Sequence, residues 1–379
     1  MITINNKKDC TGCHACSNIC PKSCISMDSD SEGFWYPVVD YNECIKCGLC
    51  IKVCPIINKK TVKNEPKAFA CTNKDDAVRM ESSSGGIFTL LAEEVIDSGG
   101  VVFGAGFDGD FNVIHSSADK KEELEKFRGS KYVQSKIGDE YKKAKEYLNK
   151  GVKVLFSGTP CQIGGLKSYL GREYDNLLCI DNICHGVPSP RIWRKYVDYR
   201  EKIAGAKTKN INFRWKDAGW SGYSLAFYFE NGKEYRETVG NDPYMKAYLK
   251  NICLRPSCYE CEFKTLNRQS DLTLGDFWGV NSILPNFDDN KGTSLVFVNS
   301  KVGEAFFNKI SDKMNKTEVD INRAVVYNSS AIKSSAYNPK RGKFFEDSEK
   351  LSFDKLVSKY CADSIIVKVK RILRKILKP

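Results

Sequence analysis

The pattern of apolar and polar positions changes character along the chain. Residues 32–40, Glu32-Gly-Phe-Trp-Tyr-Pro-Val-Val-Asp40, form a strand-like run between two cysteine-rich loops. Residues 59–67 are polar, contain a proline and read as a linker. From residue 68 short apolar runs alternate with amphipathic ones. Residues 68–72, 101–104 and 111–116 read as strands, and 87–97 has helical apolar spacing. Residues 120–127 and 138–150 are charged helical stretches. Two strand–loop–helix units follow: 152–156 into a helix around 162–170, and 177–182 into a helix around 191–203. Residues 223–230 and 233–239 flank Asn231-Gly232, a strong short hairpin signal. Residues 272–275 and 294–299 are further strands. Such alternation predicts a mixed sheet with ligand loops at the carboxyl ends of its strands.

The cysteines add chemistry. Cys10-x-x-Cys13-x-x-Cys16-x-x-x-Cys20-Pro21 recurs as Cys44-x-x-Cys47-x-x-Cys50-x-x-x-Cys54-Pro55, offset by 34 residues. Both runs follow the bacterial ferredoxin rule for two 4Fe–4S clusters. Three thiolates from one tight loop reach three irons, and the residue before each proline turns away to serve the other cluster. Cys10, Cys13, Cys16 and Cys54 are therefore expected on one cluster, and Cys44, Cys47, Cys50 and Cys20 on the other. Zinc would favour paired knuckles instead. Cys24 is surplus to this scheme. The predicted fold class is α+β: a two-cluster ferredoxin module over residues 1–58, a mixed-sheet α/β domain over 68–360, and a tail over 361–379.

Two glycine- and serine-rich stretches invite ligand readings. Ser82-Ser-Ser-Gly-Gly86 leads into the helix at 87–97, where bare N–H groups suit a phosphate; an ordinary N-cap is the alternative. Gly104-Ala-Gly106-Phe-Asp-Gly109 is formally G-x-G-x-x-G, but a strand rather than a helix follows it, so a hairpin turn is expected.

Seventeen cysteines in a chain of 379 residues without an apolar leader point to a reducing cytoplasm rather than a disulfide scaffold. The net charge of +12 has no recognised nucleic-acid module beside it. Part of the excess lies in the tail, where six cations face one Asp over residues 361–379. There Ile365, Ile366, Val369, Ile372, Leu373, Ile376 and Leu377 repeat at helical spacing. This basic amphipathic helix is too short to span a membrane and suits either peripheral contact with its inner face or packing on protein.

Outside the first module, Cys161 and Cys184 each follow a predicted strand, and Cys258-Tyr-Glu-Cys261 forms a C-x-x-C. Four thiols from three loops could hold a third 4Fe–4S cluster or a zinc ion. Cys71 and Cys179 fall on apolar runs and read as core. The strings Ser84-Gly-Gly86, Gly129-Ser-Lys-Tyr132, Phe156-Ser-Gly-Thr-Pro-Cys-Gln162, Cys184-His-Gly-Val-Pro-Ser189, Arg255-Pro-Ser-Cys-x-x-Cys261 and Asp271-Leu-Thr-Leu-Gly-Asp-Phe-Trp-Gly279 occur in that order. Together they resemble the family formed by the beta subunits of coenzyme F420 hydrogenases and dehydrogenases.

The resemblance runs from about Ala68 to beyond Asn299 and implies FAD and an iron–sulfur cluster in this domain. It favours the third 4Fe–4S cluster over zinc and places FAD contacts at Ser84, Gly85, Gly86, Gly129, Ser130, Lys131, Tyr132, Gly158 and Thr159. Asp276, Phe277 and Trp278 are expected to wall the flavin or substrate pocket. Of the three histidines, His14, His115 and His185, the last follows a proposed ligand and could tune the cluster, relay a proton or simply bond structurally. The implied function is that of an iron–sulfur flavoprotein oxidoreductase. Its partners would be a redox protein or ferredoxin and a small-molecule acceptor or donor, in some similar chains linked to surface polysaccharide. A non-catalytic electron-transfer adaptor is the alternative.

Overall fold

The computed structural model describes residues 1–362; most of the expected basic tail, residues 363–379, lies outside the described residues. At the N-terminal end β1 (Ile25–Ser29) and β2 (Trp35–Val39) form an antiparallel hairpin, with Ile25 opposite Val39. Each cysteine run closes on a short helix, Ala15–Ile19 or Leu49–Lys52. The N-caps His14 and Gly48 occupy equivalent places in the two runs, at φ 64° and 75°. Cys20, before its proline, is extended and leaves its own loop, as the steric restriction on that position requires.

The rest of the chain builds two sheets. Their strands are β3 (Lys67–Asn73), β4 (Val101–Phe107), β5 (Val113–Ala118), β6 (Val154–Gly158), β7 (Leu177–Asn182), β8 (Thr208–Trp215), β9 (Ser224–Phe229), β10 (Glu234–Thr238), β11 (Leu272–Asp276), β12 (Ser294–Val298) and β13 (Met314–Val319). The larger sheet has the order β13-β3-β12-β11-β7-β6-β4-β5. Its centre, β4, β6, β7 and β11, is parallel, and antiparallel strands flank it. The smaller sheet is β10-β9-β8, with Asn231-Gly232 turning β9 into β10.

Side-chain alternation sends the central strands' residues to two separate cores. Val102, Leu155, Leu178 and Ile180 pack with Leu91, Ala92 and Val95 of the helix Ile87–Asp97 on one face. Phe103, Phe156 and Cys179 pack on the other with Tyr141, Ala144, Ile163 and Leu166 from the helices Glu140–Asn149 and Pro160–Leu170. Both faces are covered, which is why these strands read as continuous apolar runs. The G-x-G-x-x-G string lies in the end of β4 and the turn into β5, as the following strand required. The charged stretch at 120–127 is a 3-10 helix, Lys121–Phe127, rather than an α-helix. Its buried pair Leu124 and Phe127 is spaced i, i+3, which aligns on one side of a three-residue turn.

Several residues of the N-terminal module enter the cores of the larger domain. Phe34 is buried in the same core as Trp193, Tyr196 and Tyr244, with its ring edge-on to Phe345 at 6.2 Å between centroids. Arg341 holds Glu32 through two hydrogen bonds of 2.8 and 2.5 Å. At the centre of the junction Arg255 is fully buried. Its Nε donates to Cys10 O at 2.8 Å, Nη1 to Gln134 Oε1 at 3.1 Å and Nη2 to Trp35 O at 3.0 Å. The guanidinium also lies 4.2 Å from the centre of the Tyr36 ring. Gly12 lets it in: a Cβ there would sit 2.9 Å from Arg255 Nη1 and 2.6 Å from Gln134 Nε2.

Replacing Arg255 by Met keeps much of the volume but strands these three acceptors. The expected cost is about 3 kcal/mol. For a chain of this size that is a fall of about 4 °C in melting temperature. Calorimetry of the anaerobic protein checks it, and an unchanged midpoint would show that Arg255 does not clamp the module.

Candidate functional site

Three cavities are lined by cysteine quartets. Cys10, Cys13, Cys16 and Cys54 wall the first. Cys20, Cys44, Cys47 and Cys50 wall the second, joined by Cys24, whose Sγ is 3.4 Å from that of Cys20. Cys161, Cys184, Cys258 and Cys261 wall the third. The sequence-predicted quartets are thus the ones the fold brings together. Among the described residues no group of three or more His, Cys, Asp or Glu side chains is placed to hold a metal ion.

Local structure explains the third quartet. Thr159 caps the helix Pro160–Leu170, its hydroxyl engaging the helix backbone while Gln162 reaches back to the Thr159 N–H at 2.9 Å. That capping box fixes Cys161 in the first turn after β6. Cys184 follows the end of β7. Pro256 starts the short 3-10 helix Pro256–Glu260 that carries Cys258, and Cys261 is its C-cap. A bridge between Pro188 and Leu254 ties the two segments together. Backbone N–H groups point at sulfur: Gly12 to Cys10 and Val187 to Cys258, both 3.4 Å, and Ile2 to Cys50, 3.3 Å. Burial pushes the Cys13 and Cys258 thiols up to about 12. They are neutral at pH 7 unless a bound cation draws off their protons. Cys71 and Cys179 are core residues of β3 and β7.

The cavities are adjacent in a fixed order. Cysteines of the first and second share one small apolar core with Ile2, Ile25 and Val39. Thr11 lines both the first and the third. Cys184, His185, Gly186, Val187 and Ser330 line both the third and a cleft of about 550 Å³ beyond it. The cleft lies at the carboxyl ends of β6, β7 and β11, where open α/β sheets place their ligands.

Ser84, Gly86, Gly129, Ser130, Lys131, Tyr132, Gly158 and Thr159 all line this cleft. Gly85 does not. A Cβ on it would meet Cys71 O at 2.3 Å, so the residue is small because the loop crosses the sheet backbone there. Lys131 Nζ donates to Lys126 O at 2.7 Å and Arg128 O at 3.1 Å, and burial lowers its ammonium to about 7. Asp276 and Trp278 are in the wall, whereas Phe277 is buried behind it.

Two wall residues escaped the sequence reading. Arg214, on β8, pairs with both oxygens of Asp276 at 2.8 and 3.1 Å. It also donates to Tyr132 OH at 3.0 Å and covers the Tyr223 ring at 3.8 Å. Trp220 donates to Asp276 at 3.0 Å and stacks on Trp278 with centroids 4.8 Å apart. The other is Asp181 on β7, where a lone acid in an apolar run was the available signal. One of its oxygens is 3.5 Å from Arg268 and the other has no hydrogen-bond partner among the described residues; burial raises its pKa. Arg128 Nε and Arg214 Nε are buried without acceptors among the described residues. Unused cationic donors, hydroxyls and flat aromatic walls make a donor set that fits an anionic, planar ligand such as FAD. His185 is bonded to Asn251 at 2.6 Å, and burial lowers its pKa. His115 is held by Ser157 O and Ser135 Oγ, each at 3.0 Å.

Known proteins resemble this chain in sequence. Residues 151–323 match the family described as the C terminus of the coenzyme F420 hydrogenase/dehydrogenase beta subunit, and residues 9–56 match the 4Fe-4S dicluster domain. The F(420)H(2) dehydrogenase of Methanosarcina mazei has a component chain that is 22% identical over 334 residues, covering 82% of this chain and 84% of that protein. An uncharacterised protein of Methanocaldococcus jannaschii is 26% identical over 339 residues, covering 79% of this chain and 86% of its own length. A chain in the solved F420-reducing [NiFe] hydrogenase complex from Methanosarcina barkeri aligns over 74% of this chain and 98% of its own, at 17% identity and a TM-score of 0.45. With its cysteine runs, its third quartet and its cleft, the chain carries a 4Fe-4S dicluster domain over residues 9–56 and, over residues 151–323, a region that matches the C terminus of coenzyme F420 hydrogenase/dehydrogenase beta subunits.

Proposed function

We propose that the protein is an iron–sulfur flavoprotein oxidoreductase holding three 4Fe–4S clusters and FAD, and exchanging electrons with a small molecule or diffusible hydride carrier. The observation that carries this reading is the unbroken adjacency of the three cysteine cavities and the cleft. Four cysteines wall the third cavity as four wall each of the ferredoxin-type cavities, which favours a cluster over zinc in the third. The M. mazei relative is by name part of a dehydrogenase of several chains, which supports a protein redox partner here.

FAD, when bound, would supply the conversion between single-electron and two-electron steps. The chain's own groups do the rest. Lys131, Arg128 and Arg214 offer positive charge to an anionic ligand, and Asp276 fixes the Arg214 fork. Tyr132, Tyr223 and Trp278 give flat walls that exclude water. Asp181 is buried in the cleft wall, and that burial raises its pKa.

Anaerobic protein is expected to carry about twelve iron atoms per chain, four for each cubane. Cys258→Ser should remove roughly a third of them and spare the N-terminal signals. One zinc with eight irons would exclude the third cluster.

The flavin site has its own pH signature. Lys131 without a ligand titrates near 7. An anionic ligand beside it raises that value, so binding takes up a proton above pH 7. FAD affinity should therefore be greatest below pH 7 and fall by up to about tenfold per unit as pH rises through 8. Lys131→Met should weaken FAD about tenfold at pH 6 and flatten the profile. Equal pH dependence in both proteins, by fluorescence titration, would remove Lys131 from the site.

A further inference from the structure

Of the three cysteine cavities, the second is the one that reaches the surface through a ligand. Cys47 is exposed, the only cysteine in that class among the described residues. The rim beside Cys47 is made of Met1, Lys22, Ile45 and Lys46. Ile45 is 58% exposed and Met1 37%, which puts two apolar side chains at the surface beside Cys47. Lys22 and Lys46 are exposed, and neither forms an ion pair among the described residues. No acidic side chain lines this cavity; Asp40 and Glu43 are nearby in sequence but outside its wall. A small apolar patch flanked by two cations is suited to an acidic surface: the apolar contact gives a short dock, and the charges orient the encounter.

Resting on the three-cluster reading above, we propose that this rim is the docking face for an acidic one-electron carrier protein, and that the second cluster is where electrons enter or leave the chain. The carrier's centre would lie opposite Cys47, and one electron would pass between the carrier and the second cluster with no bond made or broken. The position fits the order of the cavities, because the second is the one farthest in that series from the cleft. Nothing else about the face depends on which small molecule uses the cleft.

The test uses the holoprotein and stopped-flow reduction by a reduced plant-type ferredoxin, an acidic carrier, with photoreduced deazariboflavin as a small uncharged donor. The ferredoxin rate should fall as salt rises. Lys22→Glu/Lys46→Glu should slow it about tenfold at low salt and remove most of the salt dependence. Lys202→Glu, an exposed change on the helix Pro190–Ala204, should do neither. Iron analysis shows whether the double variant keeps its clusters, and the uncharged donor whether they remain reducible. If the uncharged donor reduces both proteins alike but ferredoxin does not distinguish them, this face is not the dock, and the three-cluster reading stands. If the unaltered protein holds no reducible N-terminal cluster, both proposals fail.

Discussion

The fold depends on a buried positive charge that forms no ion pair with a carboxylate among the described residues. Arg255 satisfies its guanidinium with two backbone carbonyls, one amide oxygen and the face of Tyr36. A desolvated cation held only by neutral groups is normally costly. Its neighbours supply a reason: Arg255 lines the third cysteine cavity and bonds to the backbone of Cys10 in the first. Thiolate-held clusters on either side would be anionic, so the guanidinium would offset two negative centres while fixing the gap between them. In this account the residue that joins the domains also makes the passage between cavities electrostatically tolerable.

That constraint changes what the N-terminal module is. A detachable electron carrier would have its own core and a polar linker. This one has the linker and a small core around Ile2, Ile25 and Val39, but Phe34 belongs to the larger domain's core, Glu32 is taken by Arg341 and Thr11 forms part of the third cavity's wall. Removing residues 1–58 would open that cavity and strip a core aromatic, so such a truncation would report on folding as much as on electron flow. The module and the sheet are one redox body joined at the strands' carboxyl ends.

Much of this was legible in the sequence where chemistry restricts spacing. The cysteine runs, β7 and the helix Ile87–Asp97 follow from local pattern, and the third quartet follows from loops after predicted strands. What was not legible lies where tertiary context decides. β13 is an edge strand of mostly polar residues and carries no alternation to read. β8 passed unread, and with it Arg214, whose role depends on Asp276 and Tyr132 meeting it from distant segments. Gly85 illustrates the converse: a glycine in a ligand-like loop is there for the sheet backbone it crosses, while Gly86 beside it reaches the cleft.

The central claim is that electrons between the N-terminal clusters and the cleft must pass the third quartet. The most direct measurement is anaerobic stopped-flow of the flavin-loaded protein in which Cys161 and Cys261 are both replaced by Ser, with cluster bleaching and flavin absorbance followed separately. The account predicts that the N-terminal clusters are reduced as in the unaltered protein while the flavin stays oxidised on that timescale. Flavin reduction at the unaltered rate would contradict it.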